Sequence, residues 1–163
     1  MKRSDIVKKI MDDLFVDDIV IASTGYISRE VFKYDRPLNF YLQGAMGNAL
    51  AIGLGIALNV RQRVVVINGD GSVLMSLGTM LTVKKAGLHN LVHYILDNNA
   101  HESTGGQPTV SNIVDFHYLS RNVVVYKMGL DENVPPRITI PPEQLTERFR
   151  REILRLQKQS KTS

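Results

Sequence analysis

The sequence predicts an α/β fold: a mostly parallel sheet, with helices on both faces, in three layers. Short β-branched runs alternate with segments of helical spacing along the chain. Several of those runs are apolar at every position, as strands covered on both faces are. Four of them end in glycine or small polar residues, and open parallel sheets receive ligands just beyond those strand ends. The 163 residues suffice for one domain with a substantial core.

The elements follow from local pattern. Residues 4–15 carry Ile6, Val7, Ile10, Met11, Leu14 and Phe15 at helical spacing. Residues 18–22 (DIVIA) form a strand that runs into Ser23-Thr24-Gly25, and 39–42 (NFYL) a second that runs into Gln43-Gly44-Ala45-Met46-Gly47. Residues 48–59 are a helix dotted with Ala49, Ala51, Gly53, Gly55 and Ala57, suited to close packing in the domain or to an interface. A strand at 64–67 leads through Asn68 into Gly69-Asp70-Gly71. A helix over 72–86 follows, capped by Gly87. The strand 91–96 ends in Asp97-Asn98-Asn99, and a loop rich in Gly, Ser and Thr fills 99–112. A strand at 123–126 and a charged helix at 142–157 close the pattern.

Composition excludes several classes. Hydrophobic residues at 44% and charged residues at 22% describe a globular chain, not a disordered one. Cysteine is absent, so there is neither a disulfide framework nor a thiolate metal site. The net charge of +4 gathers only near Arg148, Arg150, Arg151 and Arg155, with little aromatic interleaving, which argues against nucleic acid and suits an anionic ligand. MKRSDIVKKIMDD lacks the apolar core of a signal peptide, and ALAIGLGIAL falls far short of a membrane span. The expected setting is soluble and cytoplasmic, with no membrane partner.

The strand ends carry the chemistry. Glycine-rich turns offer backbone N–H groups to phosphate. Two phosphates side by side also need a divalent cation, and magnesium takes oxygen ligands while keeping positions open for phosphate or water. Asp70 with the Asn98/Asn99 pair, on neighbouring strand ends, offers a carboxylate and an amide oxygen. Asp-Gly alone is a common turn signal; the second strand end, DNN, is what turns the pair toward metal binding.

STGYISRE, NFYLQGAMGNALAIGLGIAL, GDGSVLMSLG and LDNNAHESTGGQPT together resemble the diphosphate-binding (beta-type) half of the thiamine-diphosphate-dependent phosphonopyruvate and sulfopyruvate decarboxylases. The resemblance covers residues 20–115 well and returns in PPRITIPPEQLTERF. It implies thiamine diphosphate and Mg2+ as cofactors. Asp70, Asn98 and the carbonyl of Ala100 would hold the metal. Ser23, Thr24, Gly25, Gly69, Gly71 and Ser72 would lie against the diphosphate. Met46 would prop the bent cofactor, and the Gly44 carbonyl would hold its amino group. His101 and Glu102 are candidates for the acid that protonates the product; the alternative is that they hold the substrate's carboxylate or order the loop.

Family members also need a glutamate from a pyrimidine-binding domain, which no segment here matches. The resemblance therefore implies a single diphosphate-binding domain over residues 1–163. A separate alpha-type subunit would supply the glutamate, in an α2β2 heterotetramer. The implied substrate is 3-phosphonopyruvate, on the strength of Tyr26, Ser28, Arg29 and Glu30, with Arg29 the extra cation a phosphonate calls for. Sulfopyruvate is the alternative. A non-catalytic nucleotide- or diphosphate-binding module is the alternative of another class, disfavoured by the intact AHESTGGQPT loop.

Overall fold

A computed structural model describes the backbone of residues 1–162 and the side chains of residues 1–158. Helix α1 (Arg3–Asp12) leads to strand β1 (Ile19–Ala22), α2 (Tyr26–Phe32), β2 (Asn39–Tyr41) and α3 (Ala49–Ala57). Strand β3 (Val64–Gly69) then runs directly into α4 (Asp70–Met75), followed by α5 (Gly78–Ala86) and β4 (Leu91–Asp97). A small antiparallel hairpin of β5 (Ala100–His101) and β6 (Gln107–Pro108) comes next, before α6 (Phe116–Leu119), β7 (Val123–Lys127) and α7 (Pro142–Thr162).

The main sheet is wholly parallel, in the order β2-β1-β3-β4-β7. Chain order reverses between β1 and β3, because β1 is followed outward by β2 and β3 by β4. A crevice opens at such a switch point beyond the strand ends. Residues Ile19 to Ala22 and Val64 to Ile67 are buried at every position, which explains their unbroken apolar runs. On one face Ile6, Val7 and Ile10 of α1 and Val31 of α2 pack on Val20, Ala22, Val65 and Ile67. On the other, Leu50, Met80, Val83 and Phe116 pack on Ile21, Val64, Val66 and Ile95. Helix α7 lies along β2 and contributes Leu145 to the first core and Phe149 and Leu156 to the second. Arg148 pins it there with two bonds of 2.7 Å to Asp35, which also accepts the Tyr41 hydroxyl at 2.6 Å.

Three local expectations shift. The first helix ends at Asp12 rather than 15, leaving Phe15 exposed. The helix expected over 72–86 is two, broken at Ser76 (φ −135°). A Cβ on Gly47 (φ +95°) would stand 2.8 Å from Ser76 Oγ, so the break accommodates the turn before α3. Helix α2 and the short α6 fall in stretches to which the sequence pattern assigned no element. Gly87 caps α5 in the left-handed region as expected.

Helix α3 meets the sheet through its small residues. A Cβ on Gly53 would lie 2.3 Å from Val66 Cγ2, whereas Gly55 faces open space. Gly53→Ala is therefore expected to destabilise by about 1–3 kcal/mol despite alanine's better helix propensity. Gly55→Ala should stabilise by up to about 1 kcal/mol. Urea midpoints of the two variants check both signs.

His93 is buried in the sheet beside Asn68, with Nε2 3.1 Å from the amide nitrogen and Nδ1 without a partner. Burial pushes its pKa from 6.5 down to about 3. The unfolded chain therefore takes up this proton first as pH falls, so the group withdraws stability between pH 6.5 and about 3 and contributes none of this dependence above pH 6.5. His93→Gln is expected to flatten the acid limb of a stability–pH profile by up to ~1.4 kcal/mol per pH unit; an unchanged limb would exclude the histidine as its source.

Candidate active site

The crevice at the switch point is lined by the ends of β1, β3 and β4 and by the hairpin that follows β4. Ser23, Thr24, Met46, Gly69, Asp70, Gly71, Ser72, Asn98, Ala100, His101 and Glu102 share this one pocket with Arg3, Tyr26, Ile27 and Ser103. Gly25 and Gly44 stand apart from it, and of the residues read for the substrate Ser28, Arg29 and Glu30 do not line it. Gly44 lines the neighbouring groove along β2 and α3. Gly25 is the N-cap of α2 at φ +77°, where a Cβ would stand 2.9 Å from Ser103 Oγ, so it shapes the wall by letting the loop approach.

Asp70 is 1% exposed, and its carboxylate accepts the Thr109 hydroxyl. No cation reaches it within ion-pair distance among the described residues. A buried carboxylate in that condition is costly and calls for a positive charge. Nor does any group of three histidine, cysteine or acidic side chains that could hold a metal occur among the described residues. A cation here must rest on one carboxylate, neutral oxygens and its own ligand's oxygens, which is the habit of magnesium with a diphosphate. The donor set fits that ion.

The two asparagines after β4 separate cleanly. Asn98 faces the pocket, with its Oδ1 accepting the Ala100 N–H at 3.1 Å. Asn99 takes a left-handed φ of +57° and turns its amide oxygen to the Ser111 hydroxyl at 2.9 Å. Ser111 also binds Asp97 at 2.7 Å, and Asp97 is paired with Lys127. With Thr109 N–H on the Asn99 carbonyl at 2.8 Å, these bonds fold the loop after β4 back over Asp70.

The pocket floor is polar and crowded. Ser72 Oγ accepts from the Ser23 hydroxyl at 2.9 Å and from the Gly47 N–H at 3.1 Å, tying three strand ends together. Gly71 lies under the His101 ring: a Cβ there would be 2.6 Å from Cε1. Glu102 is not free to act as an acid in this arrangement. It accepts from Arg3 at 2.5 Å, from the Asp131 N–H at 2.5 Å and from the Asn98 amide at 3.3 Å. That geometry favours the loop-ordering role over proton donation. Arg3, Thr109 and Asp131 were missed from sequence, since no local pattern marks them; Thr109, which closes the QPT of the quoted loop motif, carried the nearest signal.

Comparison with known proteins gives the family. Residues 22–154 match the family described as "Thiamine pyrophosphate enzyme, C-terminal TPP binding domain". The chain is 48% identical over 114 residues to a phosphonopyruvate decarboxylase of Streptomyces viridochromogenes, covering 69% of this chain and 29% of that protein. It is 45% identical over 109 residues to the sulfopyruvate decarboxylase subunit beta of Methanocaldococcus jannaschii, covering 66% of this chain and 58% of that one. With the corresponding subunit of Methanococcus maripaludis the identity is 39% over 131 residues, covering 80% and 70%. An X-ray structure from Mycobacterium smegmatis, classed provisionally as a thiamin diphosphate-dependent enzyme, shares the fold at TM-score 0.60 and 21% identity over 74% of this chain and 25% of its own. No helix among the described residues is long and apolar enough to cross a membrane.

Asp70→Asn is nearly isosteric and removes the uncompensated charge. It is expected to raise the melting temperature of the cofactor-free chain while weakening Mg2+-dependent thiamine diphosphate binding more than the ~10–100-fold that loss of an outer-shell partner costs. Calorimetric melting and equilibrium dialysis measure the two effects separately. Unchanged binding would remove Asp70 from the site.

Proposed function

The chain belongs to the thiamine pyrophosphate enzymes, as their C-terminal TPP-binding domain, and from that premise we propose that it is the diphosphate- and Mg2+-binding subunit of a cytoplasmic 2-oxo-acid decarboxylase acting on 3-phosphonopyruvate. The observation that carries this reading is the loop after β4, folded over a buried, cation-less Asp70 with Asn98 and Ala100 beside it. A regulatory diphosphate binder would have little use for His101 and the loop held over the same pocket.

In this reading thiamine diphosphate, when bound, supplies the nucleophilic carbon and the electron sink that decarboxylation needs. The chain's own residues do the rest. Asp70, Asn98 and the Ala100 carbonyl would hold Mg2+, and Ser23, Thr24, Gly69, Gly71 and Ser72 would receive the diphosphate. Met46, half-buried at the pocket wall, would support the bend of the cofactor. His101, seated on Gly71, is the side chain left to deliver the product's proton once Glu102 is committed to Arg3.

Completion by a second chain fits the relatives named as beta subunits, which this chain covers by 58% and 70% of their lengths. The proposed partner is a pyrimidine-domain subunit contributing the activating glutamate, in an α2β2 assembly. Identity does not separate the two substrates, at 48% and 45%; the reading for the phosphonate rests on Arg29, on α2 beside the pocket-lining Tyr26. Arg29 lies over the Tyr26 ring at 5.5 Å, while Glu30, its nearest acidic neighbour in sequence, is engaged by Lys33 at 2.7 Å. An arginine left in that condition suits the more highly charged anion.

The test is aldehyde release from phosphonopyruvate and sulfopyruvate, with thiamine diphosphate and Mg2+, by the chain alone and with a pyrimidine-domain partner. Turnover of phosphonopyruvate is expected only with the partner, and Arg29→Met should raise its KM by ~10-fold or more. Preference for sulfopyruvate would replace the substrate. Turnover by the chain alone would overturn the split site.

A further inference from the structure

Arg3 stands in α1, far in sequence from every motif at the strand ends, yet it is 2% exposed and lines the pocket. Its Nη1 donates to Glu102 Oε2 at 2.5 Å and its Nη2 to the Asn133 carbonyl at 2.5 Å, with the Asp131 carboxylate 3.8 Å away. The Tyr26 ring covers the guanidinium at 5.0 Å. Two carboxylates thus neutralise it, and it is not available to receive a substrate anion.

We infer that Arg3 is a positioning residue for the metal ligand Asn98, acting through Glu102. This rests on the reading of Asp70 and Asn98 as the cation site. A carboxamide presents an oxygen at one end and an NH2 at the other, and only the oxygen binds a hard cation. Glu102, as a carboxylate, can only accept, so it takes Nδ2 of Asn98 at 3.3 Å. The Ala100 N–H can only donate, so it takes Oδ1 at 3.1 Å. The two partners fix the amide's orientation independently. Glu102 in turn owes its place to Arg3 and to the Asp131 N–H, and without Arg3 a nearly buried carboxylate would lose its charge partner and Asn98 would be held by the Ala100 N–H alone.

The test uses the full chain with thiamine diphosphate and Mn2+ as a paramagnetic stand-in for Mg2+, counting free Mn2+ by its EPR signal. Arg3→Met and Glu102→Met are each expected to weaken Mn2+ retention ~10–100-fold, the range for outer-shell partners. The double variant should be no weaker than Glu102→Met alone, because the two residues act in series. Arg3→Lys keeps the charge without the fork, and should recover part of the loss. Should Arg3→Met fail to fold, Arg3→Lys must by itself weaken retention several-fold. Wild-type retention by either folded Arg3 variant, or independent losses that multiply in the double variant, would overturn the inference while sparing the site. Failure of the wild-type chain to retain Mn2+ even when assembled with its pyrimidine-domain partner would overturn the site reading and the inference with it.

Discussion

The buried carboxylate of Asp70 is the constraint around which the rest of this molecule is arranged. A charged group taken out of water without an opposite charge opposes folding, and here one hydroxyl, from Thr109, is its recorded hydrogen-bond donor. The fold tolerates it because the surrounding framework is over-determined. Strands β1 and β3 are buried throughout and register-locked from Ile19–Val64 to Ala22–Ile67, so the backbone that presents Asp70 has no alternative position. The cost is met by sheet and core, and on the proposed reading what it would secure is a preorganised acceptor at a strand end for a cation and its phosphates.

The loop after β4 is the second half of that arrangement, and its order comes from polar bonds rather than packing. Asp97, Asn99, Thr109 and Ser111 form a closed set in which each residue holds another. Lys127, on the neighbouring strand, supplies the charge that makes Asp97 a stable anchor. Apolar residues in the same region, such as Val110 and Ile113, stay exposed. A segment held this way keeps its shape while leaving backbone groups free for a ligand, which suits a wall that must admit and release a cofactor.

Much of this was legible in the sequence. The unbroken apolar runs gave the parallel strands, since burial on both faces leaves no alternation to see. GDG and DNN pointed to the pocket only as a pair, since Asp-Gly alone is a common turn signal and a second polar strand end beside it is not. Helix α2 was not legible: YISREVF is short and carries polar residues at Ser28 and Glu30 that turn out to be buried. The break at Ser76 was hidden too, because it sits against Gly47, a residue in a different turn, and no local pattern encodes that approach. Arg3 was invisible for the strongest reason. Its partners Glu102 and Asn133 lie 99 and 130 residues away, and no local pattern encodes a contact of that separation.

The distribution of charge around the pocket then says which groups a ligand has to satisfy. Arg3 is balanced by Glu102 and Asp131, Lys127 by Asp97, and Glu30 by Lys33. Asp70 is left inside the pocket with no cation among the described residues, and Arg29, on α2 beside the pocket-lining Tyr26 and Ile27, lies over the Tyr26 ring. A ligand that met one of these alone would leave the other unmatched. In the proposed function a divalent cation carried in by a diphosphate would answer Asp70, and an anionic group on a second, smaller molecule would answer Arg29. On the proposed reading the two groups would ask for a pair of ligands of opposite charge, and that pairing is what would separate a cofactor-plus-substrate site from a simple phosphate cradle.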